Sequence, residues 1–485
     1  MKKRQTNIVV VTVAVFVATF MTAVEGTIVT TAMPTIVGSL KGISIMNWVF
    51  SIYLLTQAMM TPIYGKLTDT IGRKPVFIAG IFIFIVGSAL SGMSHNMLTL
   101  IIARAVQGIG AGSIMPVSLT LLADMYDMKK RAKMLGYNSA AWGIASIFGP
   151  LVGGIIVEKW SWHWIFFINL PIGLVLILLI STFLVEEKKV YQKKPMDLLG
   201  SGTLMMLLLS VLLAVQFFGT ELFSLRVIGL IIAAILFIAL FIFAEKRAVD
   251  PVMPLHLFRN RAFVLVNLVA FLLSGVLIGI DVYIPMWLQG VLGKSAMIGG
   301  VALAPMSIFW MEGAFLTSKL LPKYGDKKVL LIGTSILAVA GAWLLFLPLQ
   351  TSFWWFVAIS VVWGIGFGLA FTTFTVSVQS GVPAGELGVA TSFNTLVRTL
   401  GQTILVSVFG VVLNSLVAKN MLSGAPKGIM NQLINPHTVT SIPAKMIEPL
   451  RSVLFSGIRG VFGLSFGLII LTLLILIGYK EARRN

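Results

Sequence analysis

Five ionisable side chains stand where lipid, not water, is the expected surrounding. Glu25, Arg104, Asp281, Glu312 and Arg398 each interrupt a long apolar run. A charge at the middle of a membrane helix costs about 2.5–3.5 kcal/mol on insertion scales. Residues kept at that cost are candidates for chemistry. Burial favours the neutral form of a carboxylic acid, and a nearby cation favours the charged form. An acid in such a place can therefore exchange a proton for a positively charged ligand. Glu25, Asp281 and Glu312 are the candidates for that exchange; each also reads as a packing acid bonded to a neighbouring helix. Arg104 reads either as a charge partner for an acid or as a staple to backbone carbonyls. Arg398, with Asn394 and Gln402 one turn to either side, marks a polar stripe and reads as a carboxylate partner or a structural clamp.

Aromatic and methionine side chains suit loose binding of apolar ligands. The sequence holds 32 Phe, 23 Met and 11 Trp. Trp142, Tyr283, Trp287, Trp310 and Met311 lie nearest the central acids and are the candidate lining, although each alone is as readily explained by packing. Metal chemistry has little support. There is no cysteine, and the histidines at 95, 163, 256 and 437 are scattered, without ligand spacing. No cofactor is expected.

The elements that carry these residues are membrane helices. Of 485 residues, 58% are hydrophobic and 11% charged, against about 45–50% and about 25% in soluble domains. Runs long enough to span a bilayer are expected near 7–33, 44–67, 75–93, 97–124, 131–158, 162–185, 198–217, 223–245, 262–291, 296–321, 328–348, 353–379, 386–416 and 457–479. That is fourteen helices. The longest polar stretch between them, 417–456, is expected to be a loop on the outside, with room for a short helix at 444–455. The net charge of +19 would suggest nucleic acid in a soluble protein. Here the basic residues gather in alternate loops, among them Arg73-Lys74, Lys129-Lys130-Arg131 and Lys246-Arg247. That asymmetry orients membrane helices and places both termini in the cytoplasm; no nucleic acid is implied.

Gly65-Lys66-Leu67-Thr68-Asp69-Thr70-Ile71-Gly72-Arg73-Lys74 follows the second helix, and Ser318-Lys319-Leu320-Leu321-Pro322-Lys323-Tyr324-Gly325-Asp326-Lys327 follows the tenth. Lys, Leu, Gly and the last Lys coincide. Two related halves, 1–187 and 261–485, joined by a linker at 188–260 with two extra helices, explain the repeat. Such halves enclose a site near the midplane. Glu25 and Asp281 then fall at near-equivalent places and are expected to face a common cavity. The linker pair, without ionisable residues in its apolar centres, is expected to be peripheral.

These segments resemble the major facilitator superfamily, and its fourteen-helix drug:proton antiporter branch in particular, along essentially the whole chain. Gly65 to Lys74 is similar to the loop motif between helices 2 and 3. Arg104-Ala-Val-Gln107-Gly108-Ile-Gly110 is similar to the helix 4 motif, and Gly149-Pro150-Leu-Val-Gly153-Gly154 to the helix 5 antiporter motif. Glu25 to Pro34 and Trp162 to Gly173 are similar to segments of the fourteen-helix branch. Two positions depart from the pattern: Glu25 stands where the branch has Asp, and His163 where it has Arg. The resemblance implies an all-α fold of two six-helix bundles plus two linking helices. It implies no enzyme, but a proton-driven exporter of small lipophilic, cationic drugs in a bacterial cytoplasmic membrane, working as a monomer by alternating access. Arg104 would hold a proton-bearing acid. Gly65, Asp69, Gly72, Arg73 and Lys74 would form a gate, latching onto the opposite half. Gly149, Pro150, Gly153 and Gly154 would give helix 5 a face for close packing. An exporter of one defined metabolite, amino acid, peptide or lipid is the alternative.

Overall fold

The computed structural model describes residues 6–126, 128–186, 197–218, 224–248, 251, 255–380, 382, 387–422, 425–426, 428–434 and 438–478. The described residues are helical almost throughout. The helices are α1 (Ile8–Leu40), α2 (Asn47–Ile71), α3 (Arg73–Gly92), α4 (Met97–Met125), α5 (Met128–Lys159), α6 (Trp164–Phe167), α7 (Asn169–Phe183), α8 (Leu198–Phe218), α9 (Leu225–Arg247), α10 (Arg261–Met286), α11 (Ala296–Phe346), α12 (Phe353–Ser380), α13 (Leu387–Lys419), α14 (Ile429–Ile434) and α15 (Ala444–Gly478). Eleven described spans, one of them α11, are long and apolar enough to cross a membrane. A lipid-filled setting favours this outcome, because a helix satisfies all of its own backbone groups.

Several boundaries differ from those expected. α1 runs through Pro34 to Leu40 instead of stopping at 33, since membrane helices tolerate proline where neighbours re-satisfy the freed carbonyl. The last helix begins at Ala444 instead of 457. Its added turns bury Leu450, Val453 and Leu454, an i, i+3, i+4 set that needs a helix to reach the core. The expected loop 417–456 therefore shrinks to the segment around α14. The expected helices at 296–321 and 328–348 form one run, broken at Gly325 (φ 75°, ψ 169°). Gly72, at the matching place in the first half, has φ 103° and ψ 162°. Only glycine takes this backbone conformation cheaply, so the sequence repeat has a structural counterpart.

α5 lies against α1 and α11 through small residues. A Cβ on Gly153 would sit 2.7 Å from Ile28 Cγ1, and one on Gly154 would sit 2.5 Å from Met297 Cα. Gly149 packs on Thr27, and Gly300 on the carbonyl of Pro150. Along this face the backbones come into contact.

Among the described residues, the hydrogen bonds that join the halves gather at one end, opposite the basic loops. Gln289 Nε2 donates to Thr31 O (3.0 Å), Tyr283 OH to Asn47 Oδ1 (3.0 Å), and Ser51 Oγ pairs with Ser407 Oγ (2.8 Å). Asn414 Nδ2 donates to Ser44 O (2.9 Å), and Asn431 Oδ1 of α14 accepts from Gly42 N and Ile43 N (3.2 and 3.0 Å). The halves are thus latched at this far end. Replacing Tyr283 by Phe leaves Asn47 Oδ1 without its donor, a loss of about 1 kcal/mol. Spin labels on cysteines at Lys41 and Lys445, in a chain with no other cysteine, are expected to show a larger long-distance population in Tyr283→Phe than in the parent. Equal distance distributions would remove the latch role.

Candidate functional site

The best-defined polar site is a closed network inside the N-terminal half. Glu25 (α1) and Arg104 (α4) are each 1% exposed. Arg104 Nη1 donates to Glu25 Oε1 and, at 2.7 Å, to Gln107 Oε1. Its Nε donates to Val49 O (3.3 Å), and its guanidinium lies 4.0 Å from the centre of the Tyr53 ring. The other carboxylate oxygen, Oε2, accepts from Asn169 Nδ2 (2.7 Å), which also reaches Ser88 Oγ (3.0 Å). Ser88 Oγ donates to Phe166 O (2.8 Å). The pair therefore ties together α1, α2, α3, α4, α6 and α7. Arg104 thus meets both a carboxylate and a backbone carbonyl.

This geometry corrects the expectation that Glu25 faces a shared cavity with Asp281. Glu25 points into its own half, where two N–H donors hold it. The neighbouring Gly26 carries the open face of α1, since a Cβ built there meets nothing within 4 Å. Asn169, Gln107, Ser88 and Tyr53 are partners that the sequence alone does not single out. The i, i+3 spacing of Arg104 and Gln107 was the available signal; Asn169 stands inside a motif whose role is not spelled out by its residue types.

Asp281 is different. It is half-buried on α10, and among the described residues it has neither a hydrogen bond nor an ion pair. It lies two residues before Tyr283, directly beneath the far-end latch. Of 26 residues in α10 it is the twenty-first, about 30 Å from the basic end at 1.5 Å per residue. Arg398 likewise has no carboxylate partner among the described residues; its guanidinium lies 4.4 Å from the centre of the Phe371 ring. Phe371 meets Trp310 at 4.9 Å, and Trp310 stacks on Phe367 at 5.6 Å. Trp310 is only partly buried, so α11, α12 and α13 present one aromatic wall with a cation behind it. Beside Arg398 on α13, Asn394 Nδ2 donates to Asn267 Oδ1 of α10 (2.9 Å), which fixes the stripe as an interhelical clamp at that residue.

Four other candidates land elsewhere than expected. Glu312 and Met311 are exposed on α11 and take no part in the packed centre. Trp287 is core, 1% exposed and 5.0 Å from both Phe356 and Phe455. Tyr283 is fully buried and serves the latch. An α-helix that is apolar all round gives no phase by which to tell a cavity face from a core face. The side chains of Asp69 and Trp142 lie outside the described residues, while Gly65 falls within α2.

At the basic end, Gly72 turns the chain so that Glu186 caps α3. Arg73 N donates to Glu186 Oε1 (2.7 Å) and Lys74 N to Oε2 (3.1 Å). A carboxylate at a helix N-terminus meets unpaired N–H groups and the positive end of the dipole. Arg73 Nε lies 3.0 Å from Asp124 Oδ2, and its Nη1 donates to Thr68 O (3.2 Å). Lys74 Nζ donates to the carbonyls of Ser181 and Leu184, both at 2.7 Å. Gly72, Arg73 and Lys74 make these contacts within their own half, in a state whose halves are joined at the far end. At the far end His163 stacks on Trp162 (3.7 Å between ring centroids) and its Nδ1 lies 2.6 Å from Ser161 Oγ. Burial, and then the nearby His95, lower its pKa from the ordinary value, so the imidazole here favours its neutral form.

Removing one member of the buried pair strands the other, at a cost of about 3–5 kcal/mol. Arg104→Ala is expected to lower the thermal midpoint in detergent sharply, and the double variant Glu25→Gln/Arg104→Gln to lower it less. If the double variant is the weaker protein, the pair is not the source of the stability.

The sequence profile of the Major Facilitator Superfamily matches residues 15–406. The chain is 35% identical to a multidrug transporter protein, MdtP, of Bacillus subtilis, over 92% of this chain and 88% of that one. It is 30% identical to the multidrug efflux pump SdrM of Staphylococcus aureus, over 83% and 89%. Among solved structures, a bacterial homologue of the human lysosomal transporter Spinster, inward-facing and unoccupied, superposes with a TM-score of 0.65 at 15% identity, covering 96% of this chain and 95% of that one. A D-xylose–proton symporter superposes with a TM-score of 0.60 at 15% identity, over 89% and 96%.

Proposed function

The chain belongs to the Major Facilitator Superfamily of membrane transporters, and we propose that it exports lipophilic cations from the cytoplasm in exchange for protons. The observation that carries this reading is Asp281, a half-buried carboxylate without a partner among the described residues, set beneath the latch between the halves. The names of the relatives from Bacillus subtilis and Staphylococcus aureus support the drug-export part of it. The basic end faces the cytoplasm of a bacterial cell, with both termini on that side.

In the state described, the halves are joined at the far end. A cationic substrate rising from the cytoplasm meets Asp281 and the partly open Trp310 ring. Its charge favours the ionised carboxylate and displaces the proton, while the aromatic wall takes its apolar body. The halves then rock, the far-end hydrogen bonds part, and the gate residues Asp69 and Arg73 close the cytoplasmic end. A proton arriving from outside neutralises Asp281 and frees the substrate. Competition for one carboxylate suffices for coupling. Glu25 serves a different end: with both oxygens taken, it holds the N-terminal half rigid around Arg104. Arg398 stands behind Phe371 on α13, one turn from the Asn394 that bonds α10.

Inverted membrane vesicles test this directly. The parent is expected to take up ethidium when energised, and Asp281→Asn to lose uptake by at least about tenfold, a change of about 1.4 kcal/mol in coupling. Glu25→Gln is expected to lower the amount of folded protein but leave coupling in what remains. A parent that moves no cationic dye would turn the reading to an exporter of one defined solute.

A further inference from the structure

Two basic side chains come together at the far end. α10 leaves its regular course there through one turn of π-helix, Trp287–Val291. The chain then turns at Gly293, whose φ of 63° lies in the left-handed region that favours glycine. Lys294 N closes this turn by donating to Leu288 O (2.8 Å), and the Lys294 residue is exposed. Arg451 stands in the first turns of α15, next to the buried Leu450. Its Nη2 rests on Gly293, where an added Cβ would lie 2.7 Å away. Glycine at 293 therefore serves both the turn and the guanidinium.

Lys294 and Arg451 line one cavity of about 360 Å³, together with Glu448 and with Gln350 and Thr351 from the connection between α11 and α12. Arg451 Nη1 donates to Glu448 Oε1 (3.2 Å); the Glu448 side chain is 62% exposed and that of Arg451 24%. A carboxylate so open to water is screened, and two cations outnumber it. Arg451 Nε is buried and has no partner among the described residues. With Nη1 engaged, Nε and Nη2 form the remaining edge of the guanidinium, and such an edge grips a phosphate through two parallel hydrogen bonds. Arg451 also borders a smaller cavity of about 120 Å³ with Gln289. Gln289 Oε1 is likewise buried and unpartnered among the described residues, while its Nε2 holds the latch bond to Thr31 O. A ligand with hydroxyl groups beside a phosphate answers both Arg451 and Gln289. Trp354 and Trp355, three and four residues after Thr351, are 72% and 47% exposed. Tryptophans at a membrane surface mark the level of the lipid headgroups, so the cavity opens where lipid phosphates lie.

We propose that Lys294 and Arg451 form a phosphate-anion site that takes the headgroup of an anionic phospholipid, such as phosphatidylglycerol, from the leaflet at the far end. With the basic end in the cytoplasm, that leaflet is the outer one. Glu448 holds the guanidinium in place and leaves the cavity one net positive charge, which a phosphodiester monoanion balances. The site does not use Asp281 and stands whether or not the cargo is cationic.

Delipidated full-length protein in detergent tests the site by its thermal midpoint and by native mass spectrometry of retained lipid. The variants are Lys294→Gln, Arg451→Gln, Arg451→Lys (which keeps the charge but not the fork) and, as control, Lys445→Gln, exposed one turn before Glu448. Each is checked for a monodisperse gel-filtration peak. Dioleoyl-phosphatidylglycerol is expected to raise the midpoint of the parent and of Lys445→Gln, and to bind Arg451→Gln about tenfold more weakly or worse. Lys294→Gln is expected to bind it several times more weakly, Arg451→Lys to fall between Arg451→Gln and the parent, and phosphatidylcholine, with no net charge, to bind the parent poorly. If Arg451→Gln yields no folded protein, Lys294→Gln, altered on an exposed turn, decides. Phosphatidylglycerol bound equally by the parent, Lys294→Gln and Arg451→Gln, or no response to any phosphate, would overturn the site. Inorganic phosphate that raises the midpoint of the parent but not of Lys294→Gln, with phosphatidylglycerol inert, would keep the anion site and overturn the lipid as its ligand.

Discussion

A charge pair taken out of water sets the terms for the N-terminal half. Glu25 and Arg104 are held in the interior only because each finds more than the other. Asn169, Gln107, Val49 O and the Tyr53 ring complete the set. A buried pair of this kind seldom adds much stability by itself, yet breaking it is costly. The consequence is a rigid body. Six helical segments must keep their places for every donor and acceptor to be met, and a rocking mechanism needs halves that move as units. The close glycine contacts of α5 on α1 serve the same body, and those of α5 on α11 mark where it bears on the other half.

The C-terminal half carries its charges differently. Asp281 and Arg398 both lack an ion-pair partner among the described residues, and they are not placed to pair with each other. Gly401 packs on Phe271, and Gly275 on Leu405, so α10 and α13 run side by side in a register that sets Arg398 near residue 268. Asp281 lies 13 residues farther on, about 20 Å along the axis. One half thus spends its charges on structure and the other keeps them available. That asymmetry, in a chain with a repeat, separates the buried pair from a carboxylate without a partner among the described residues.

Much of this was legible in the residues. Apolar run length marked the helices, and the motif glycines at 72 and 325 marked two turns of matching, positive φ. The cost of a charge in lipid singled out both Glu25 and Arg104, but not that they meet. What stayed hidden was direction. In a helix bathed in lipid or packed on other apolar helices, every face is greasy, so Glu25, Trp287 and Tyr283 gave no sign of facing inward and Glu312 none of facing out. The placement of α8 was hidden for the same reason: Leu204, Leu208 and Leu212 cluster with Leu55 of α2, flanked by Leu396 and Leu400 of α13, and a wholly lipid-facing helix has the same composition. Glu186, which caps α3 across more than a hundred residues of chain, lies next to a polar linker and has the look of a merely solvated charge. The expected end of α1 at 33 stopped short at Pro34, because a membrane helix can carry what a soluble one cannot.

The central claim is that substrate and proton compete for Asp281. Purified protein in weakly buffered detergent, mixed with tetraphenylphosphonium, tests it by the protons it releases. The account predicts release from the parent and from folded Glu25→Gln, and none from Asp281→Asn. Release that persists in Asp281→Asn and vanishes in Glu25→Gln would contradict it and place the exchange at the Arg104 network.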